Sequence, residues 1–196
     1  MKINITGSRG FIGSRLVELL KDDHEIVEYD RNIDEDHDIE NWEPDGCEVV
    51  VHLAGLANVR KSIEEPKAYW HTNVELSKRL FSLAHRANMR ILYASSSCAK
   101  QWWLSPYGTS KRAMEAVAPS DSLGMRFTTV YGQNSRKEML VGRIRDKKLA
   151  YVTNHSRDFI HVDDICSAII KNLDNTVLAG TIAVSYTHLT LPTTSS

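Results

Sequence analysis

No apolar run in the 196 residues approaches the roughly 18 that a membrane-spanning helix needs, so no membrane partner is expected. Cysteine is scarce. Cys47, Cys98 and Cys166 stand far apart with no CxxC spacing, and the opening MKINITGSRG has no apolar signal-peptide core. An odd cysteine count without an export signal points to reduced thiols and a cytoplasmic location. Neither charge sign is in excess: 24 Lys+Arg face 25 Asp+Glu. That balance excludes a strongly basic nucleic-acid binder and a polyanionic tail. The basic run RIRDKK at 143–148 reads as a solvated helix face. Eight histidines show no metal spacing such as HExxH, so no metal is expected. What remains is an ordinary globular composition, 42% hydrophobic and 25% charged, with enough chain for one core.

The hydrophobic period alternates between that of strands and that of helices. KINIT (2–6), EIVEY (25–29), EVVVHLA (48–54), RILYA (90–94) and 125–130 read as strands. The near-continuous apolar run at 48–54 is that of a strand covered on both faces. Helices are expected over 11–20, after Pro66 with Leu76, Leu80, Phe81 and Leu83 inward, over 107–117 and over 162–173. Strand–helix–strand order at this spacing predicts an α/β fold with a doubly wound parallel sheet, Rossmann-type. Residues 180–184 could add a strand. The following VSYTHLTLPT (184–193) looks like a translated sequencing-library adapter, the alternative being a genuine Thr-rich strand and turn. The expected division is therefore 1–183 as a nucleotide-binding domain with partial substrate-binding elements, and 184–196 as a non-native tail.

Gly7-Ser8-Arg9-Gly10-Phe11-Ile12-Gly13 follows a strand and opens a helix. Gly7 permits a tight turn, Gly10 lets backbone approach a pyrophosphate at the helix N-terminus, and Gly13 permits close packing. Asp30 ends the next strand, where a carboxylate can accept from the adenosine ribose hydroxyls and repel a 2′-phosphate. This favours NAD over NADP. Arg9 and Arg31 argue the other way, since either could reach a phosphate or be a solvated charge.

Tyr107 and Lys111 form YxxxK, with both side chains on one helix face. A free phenol titrates near pH 10, and an adjacent ammonium lowers that value, making the phenol a usable acid or base. Ser95-Ser96-Ser97 ends the strand before it. A hydroxyl there can hold the charge of a reacting oxygen, and one of the three serines also suits a strand-to-loop cap.

On these stretches the chain resembles an extended short-chain dehydrogenase/reductase of the NAD-dependent epimerase/dehydratase group acting on nucleotide sugars. The resemblance runs through TGSRGFIG (6–13), HLAG (52–55), Asn73-Val74, YASSS (93–97), SPYGTSK (105–111), MRFTTVYG (125–132) and RDFIHVDD (157–164). It implies that Gly7, Arg9, Gly10, Phe11, Ile12, Gly13 and Asp30 hold NAD. It further implies that Asp38 and Ile39 flank the adenine, and that Leu53, Ala54, Gly55, Asn73 and Ser95 line the cofactor beside Tyr107 and Lys111. Ser97, Tyr107 and Lys111 would carry the chemistry. Ser97, Thr129 and Arg157 would meet a nucleotide-sugar substrate, with Arg157 facing its diphosphate or else pairing with Asp163 or Asp164. His52 and His161 would be structural, Cys98 a packing residue, and the enzyme a possible homodimer.

The implied reaction is transient oxidation: the Tyr107 phenolate takes a sugar hydroxyl proton while hydride passes to the nicotinamide. Dehydratases of the group carry an acid pair after the catalytic hydroxyl residue. Here Cys98-Ala99 follows Ser97, which points to an epimerase. Three departures stand out. The stretch between Ser97 and Tyr107 is short and carries Trp102-Trp103, which would stack on a sugar or base or anchor the loop. Thr129 replaces an Asn common in relatives. Residues 132–154 leave little room for a full substrate lobe. Rival readings are an NADP-dependent nucleotide-sugar reductase and a non-catalytic NAD-binding module.

Overall fold

The apolar runs form the centre of a parallel sheet in the computed structural model, which describes residues 1–135, 139–148 and 158–185. Six strands, β1 (Lys2–Thr6), β2 (Glu25–Tyr29), β3 (Val49–His52), β4 (Arg90–Ser96), β5 (Leu123–Phe127) and β8 (Gly180–Val184), lie in the order β2-β1-β3-β4-β5-β8. Every pair is parallel. Strand order reverses direction at β1, with β2 on one side and β3 on the other, and such a switch point opens a crevice outside the carboxyl ends of the strands.

Alternation along each strand feeds two cores. Ile3, Ile5, Val49, Val51 and Leu92 pack on one face with Leu16, Leu20, Ile165 and Ile169. Those helical residues belong to α1 (Phe11–Leu20) and α7 (Val162–Ile170). Val50, Ile91 and Tyr93 pack on the other face with Leu80, Phe81, Ala84 and Met114. These come from α4 (Ser77–Arg86) and α5 (Pro106–Val117). The sheet is thus wound on both sides, as the unbroken apolar runs require.

Three local departures from the sequence reading have physical causes. The expected 125–130 strand is two: β5 stays in the main sheet, while β6 (Thr129–Tyr131) pairs with β7 (Phe159–His161) in a separate two-stranded sheet. The Thr129 amide donates to the Asp158 carbonyl, which takes the chain out of the main ladder. The helix after Pro66 is not uniform. It begins as α3 (Pro66–Trp70), widens to π geometry over His71–Leu76 and continues as α4. The widened turn buries three consecutive residues, Thr72, Asn73 and Val74, which one stripe of a regular α-helix would not accommodate. Leu76 and Leu83, expected inward, are only half-buried. Finally, α7 ends at Ile170, short of the expected 173, with Leu173 still in the core. A short α2 (Lys61–Glu64) and α6 (Leu140–Arg145) complete the helices of the described residues, and the exposed Arg143 and Arg145 on α6 match the solvated face expected there.

Strand β8 runs one residue past the expected 183/184 division, and residues 186–196 of the expected tail lie outside the described residues.

Candidate active site

The turn between β1 and α1 is dictated by its glycines. Gly7 has φ +71°, and a Cβ there would lie 2.7 Å from the Ala54 amide nitrogen. Only glycine therefore closes this turn against the end of β3. A Cβ at Gly13 would overlap the Gly7 carbonyl oxygen, so α1 is seated directly on the turn. Gly10 stands at the N-cap of α1 with no side chain capping the helix. The first amides of the helix are left to a ligand or water, and an anion suits them. Ser8 lies inside this turn with a buried hydroxyl that has no hydrogen-bond partner among the described residues. A helix start without a side-chain cap, a buried hydroxyl and a glycine-lined turn fit a dinucleotide pyrophosphate.

Asp30, just after β2, is buried and accepts three hydrogen bonds. Its Oδ2 accepts from the Arg9 amide (3.0 Å), and its Oδ1 accepts from the Asn32 amide (2.9 Å) and side chain (2.8 Å). The acid thereby locks the glycine turn to the β2 end, a role its sequence position does not disclose. The Arg9 guanidinium is turned onto Glu28 (3.1 Å). Arg31 lies 3.6 Å from Asp38, which also accepts from the Glu40 amide. Ile39 is buried in the short 3₁₀ turn that Asp38 caps.

At the end of β3, the Thr6 hydroxyl accepts from the Ala54 amide (3.2 Å) and meets His52 Nδ1 (2.7 Å). His52 Nε2 meets Ser77 Oγ (2.9 Å). Burial, with a smaller contribution from the Lys111 charge, pushes His52 down to about 3, so it stays neutral and structural as expected. The loop beyond, with Leu53, Ala54 and Gly55, is held by Asn73. That amide accepts from the Leu56 N–H (2.9 Å) and donates to the Leu56 carbonyl (2.9 Å) and to Ser110 Oγ (3.0 Å). Ser110 in turn donates to the Tyr107 carbonyl (2.9 Å). Asn73 thus braces the cofactor-side loop to the head of α5.

Helix α5 starts with Ser105 as N-cap, its hydroxyl accepting from the Gly108 amide (3.0 Å), and Pro106 at the first turn. Tyr107 and Lys111 both face inward and are buried. The Tyr107 ring packs edge-on against Tyr69, centroids 6.3 Å apart. Tyr69 is itself fixed by hydrogen bonds to the Asn58 backbone (2.7 and 3.1 Å). Lys111 Nζ donates to the Ala94 carbonyl (2.9 Å). A Cβ on Gly55 would lie 3.4 Å from Lys111 Nζ and 2.9 Å from Asn73 Oδ1. Contacts therefore run from the Gly7 turn through Ala54 and Gly55 to Lys111, all at the carboxyl edge of the sheet. Burial pushes Lys111 down to about 8, with Glu115 pulling the other way, so the ammonium is still charged at neutral pH.

The three serines divide their work. Ser96 caps the 3₁₀ segment Ser97–Leu104, its hydroxyl accepting from the Cys98 amide (3.2 Å). Ser97 opens that segment, half-buried. Ser95, expected beside the cofactor, gives its hydroxyl to Glu115 on α5 (2.5 Å), because a buried carboxylate there needs donors. The 3₁₀ segment is tied to α5 closely: the Trp102 carbonyl accepts from the Thr109 hydroxyl (3.0 Å), and a Cβ on Gly108 would lie 2.9 Å from the Cys98 carbonyl oxygen. The Trp102 and Trp103 indoles are exposed and stack edge-on against each other, and Trp103 lines an outer cleft of about 440 Å³ with Trp70, Pro66 and Pro106. Thr129 starts β6, half-buried. Arg157 lies outside the described residues. Asp163, one of the partners considered for it, is bound by Arg15 of α1 (2.7 Å). Glu115, Arg126, Asn32 and Tyr69 support the site but received no role in the motif reading. Two of them carried a local signal: Glu115, four residues beyond Lys111, and Arg126, within MRFTTVYG.

The family model described as "NAD dependent epimerase/dehydratase family" matches residues 3–101 and 103–184. The chain belongs to this family. It is 31% identical over 229 residues to "Protein CapI" of Staphylococcus aureus, covering 87% of this chain and 69% of that protein. To a Rhizobium meliloti protein named "Probable UDP-glucuronate 4-epimerase" it is 29% identical over 154 residues, which is 63% of this chain but 45% of the relative. Among solved structures, MoeE5 in complex with UDP-glucose and NAD superposes with a TM-score of 0.78 at 25% identity, over 94% of this chain and 76% of that one. Family membership makes the chain an epimerase/dehydratase-type enzyme with an NAD-dependent, Rossmann-like domain, and the geometry brings the glycine turn and the YxxxK helix to one edge of it.

Proposed function

We propose that this family member interconverts the epimers of a nucleotide sugar, with Tyr107 as the proton-transfer group. The observation that carries the reading is the buried Lys111 ammonium, one turn along α5 from Tyr107 and beside Gly55 at the edge that bears the phosphate turn. NAD, when bound, supplies a hydride acceptor and donor at its nicotinamide ring. The remaining work belongs to the chain. The Gly7–Gly13 turn and the uncapped head of α1 bind the pyrophosphate, and Asp30 holds that turn in shape. The Lys111 charge favours the phenolate of Tyr107, which accepts the proton of a sugar hydroxyl and returns it later. Ser97 is assigned a hydrogen bond to the reacting oxygen, and Arg157 the substrate diphosphate.

Two features support NAD rather than NADP as the cofactor. Asp30 is a carboxylate just past the end of β2, a place from which it can repel a ribose 2′-phosphate, and Arg9 is held by Glu28. The absence of an acid pair after Ser97 supports epimerisation over dehydration. The relative named for UDP-glucuronate supports a UDP-hexuronic acid as substrate, with C4 as the reacting carbon.

The test is to incubate the protein with UDP-glucuronate and NAD and to follow formation of the C4 epimer by proton NMR. Turnover should appear in the wild type. In Tyr107→Phe it should fall by about a hundredfold or more, the scale of a lost general base, while NAD binding persists. Undiminished turnover in Tyr107→Phe would overturn the assignment.

A further inference from the structure

We propose that Glu115 is a positioning residue for the Tyr107–Lys111 pair: its carboxylate pins α5 to the ends of β4 and β5 and provides the Lys111 ammonium with its counter-charge. The inference rests on the general-base reading above.

Glu115 lies four residues after Lys111, so the two side chains share a helix face. Its side chain is 3% exposed and yet accepts from four donors. They are Ser95 Oγ (2.5 Å), Arg126 Nε (2.8 Å), Arg126 Nη2 (2.6 Å) and Arg112 Nη1 (3.2 Å). Arg126 grips both carboxylate oxygens, a geometry that fixes orientation as well as position. Ser95 and Arg126 are partners in the β4–β5 register, so a single carboxylate is held by two adjacent strands at once. Lys111 is tied to Ala94, the residue before Ser95. Helix α5 is therefore fastened to β4 at two successive residues, by a cation and by an anion one turn apart.

This arrangement answers an electrostatic need. The groups facing Lys111 are the Ala94 carbonyl, the Met114 sulfur, the neutral His52, Asn73 beside Gly55, and Tyr107. None of these is an anion until the phenol ionises. Beyond them lies the Glu115 carboxylate with the Arg126 and Arg112 guanidiniums bound to it, so Glu115 both opposes the loss of the lysine proton and neutralises cations that would otherwise promote it. Burial alone would raise the Glu115 carboxyl. The Arg126 and Ser95 hydrogen bonds override it, and the group lies below its usual value. Glu115 thus stays charged across the pH range in which Lys111 must.

The experiment uses Glu115→Gln and Glu115→Asp in the full chain, with lysine ε-carbons labelled with ¹³C. Lys111 is assigned by the peak missing in Lys111→Met and titrated by NMR, a readout that needs no turnover. In Glu115→Gln the Lys111 midpoint should fall. A fall of about one pH unit lowers kcat about fivefold at pH 8 and moves its pH profile with it. KM and NAD affinity should change by less than about twofold, since no Glu115 atom is assigned to either ligand. Glu115→Asp keeps the charge and should recover most of the midpoint. An unchanged Lys111 midpoint in a folded Glu115→Gln protein overturns the proposal, as does a loss confined to KM. Should the Gln variant not fold, a Glu115→Asp protein whose kcat equals wild type overturns the clamp, since the shortened side chain cannot keep both the Ser95 and Arg126 bonds. A displaced midpoint together with undiminished turnover in Tyr107→Phe would instead refute the general-base reading and leave the clamp standing.

Discussion

Replacing Lys111 with methionine should make the protein more stable at neutral pH while abolishing turnover. Methionine keeps the long unbranched stem of lysine and removes the charge. Burial lowers Lys111 from 10.5 to about 8, which amounts to about 3 kcal/mol of folding free energy at about 1.4 kcal/mol per pH unit. The substitution also deprives the Ala94 carbonyl of its donor, a loss of about 1 kcal/mol. The net expectation at pH 7 is a gain of about 2 kcal/mol. The gain has a definite pH dependence. The folded state releases the Lys111 proton more readily than the unfolded state does, so between pH 8 and 10.5 the unfolded chain holds more protons. Wild-type stability therefore rises over that window relative to the variant, the gap closes just below about pH 10, and above about pH 10.5 the variant is the less stable by about 1 kcal/mol, the lost Ala94 hydrogen bond. Urea unfolding followed by tryptophan fluorescence, at pH 7 and again near pH 10, measures both halves of the argument. A variant less stable than wild type at pH 7, or a gap that does not change between the two pH values, would refute it.

Two further substitutions probe the phosphate turn. Gly13→Ala places a Cβ onto the backbone carbonyl of Gly7, where nothing flexible can give way. A thermal melt should show a loss of more than about 2 kcal/mol, with NAD quenching of tryptophan fluorescence abolished. Asp30→Ala removes the acceptor of three N–H groups and the repulsion toward a 2′-phosphate. NAD affinity should drop about tenfold and the NAD-over-NADP ratio should narrow; an intact ratio would show that selectivity resides elsewhere.

Strand β3 was legible because all four of its residues are buried, so it appears as a near-unbroken apolar run, and β1 and β4 because their mostly buried runs are interrupted by few polar residues. Strand β2 is largely half-buried and shows only as Ile26, Val27 and Tyr29 set among glutamates. The glycine turn and the helix that carries YxxxK were legible as local structure because a positive φ at Gly7 and the Ser105–Pro106 helix start need fixed residue types at short spacing. Departures arise where a partner remote in sequence decides. Nothing local in TTVY says that the chain leaves the main ladder before Thr129, because β7 lies some 30 residues on and supplies the alternative partner. The widened turn at His71–Leu76 exists because Asn73 must face a loop 17 residues before it. Ser95 could not be separated from Ser97 by composition, since the distinction depends on which serine the β4–β5 register sets beside Arg126. Arg9 offered two readings in the sequence, and Glu28, two residues before Asp30, favours the ion pair.

These remote partners share one logic. Thr6, His52 and Ser77 join β1, β3 and α4; Asn73 joins the π turn, the loop after β3 and α5; Glu115 joins α5, β4 and β5. Each clamp is buried and polar, and each links elements that carry different parts of the proposed site. An apolar core alone would hold the sheet and helices together with some freedom to slide. Hydrogen-bonded groups at the carboxyl edge do not permit that, because a shift of even one ångström would leave a buried donor or acceptor unmet, at about 1–3 kcal/mol each. The distance between the phosphate turn and Tyr107 is consequently set by directional bonds. In the proposed reaction hydride leaves the sugar carbon for the nicotinamide while the proton leaves that carbon's hydroxyl oxygen for Tyr107, so the spacing the clamps hold decides whether one bound sugar meets both groups.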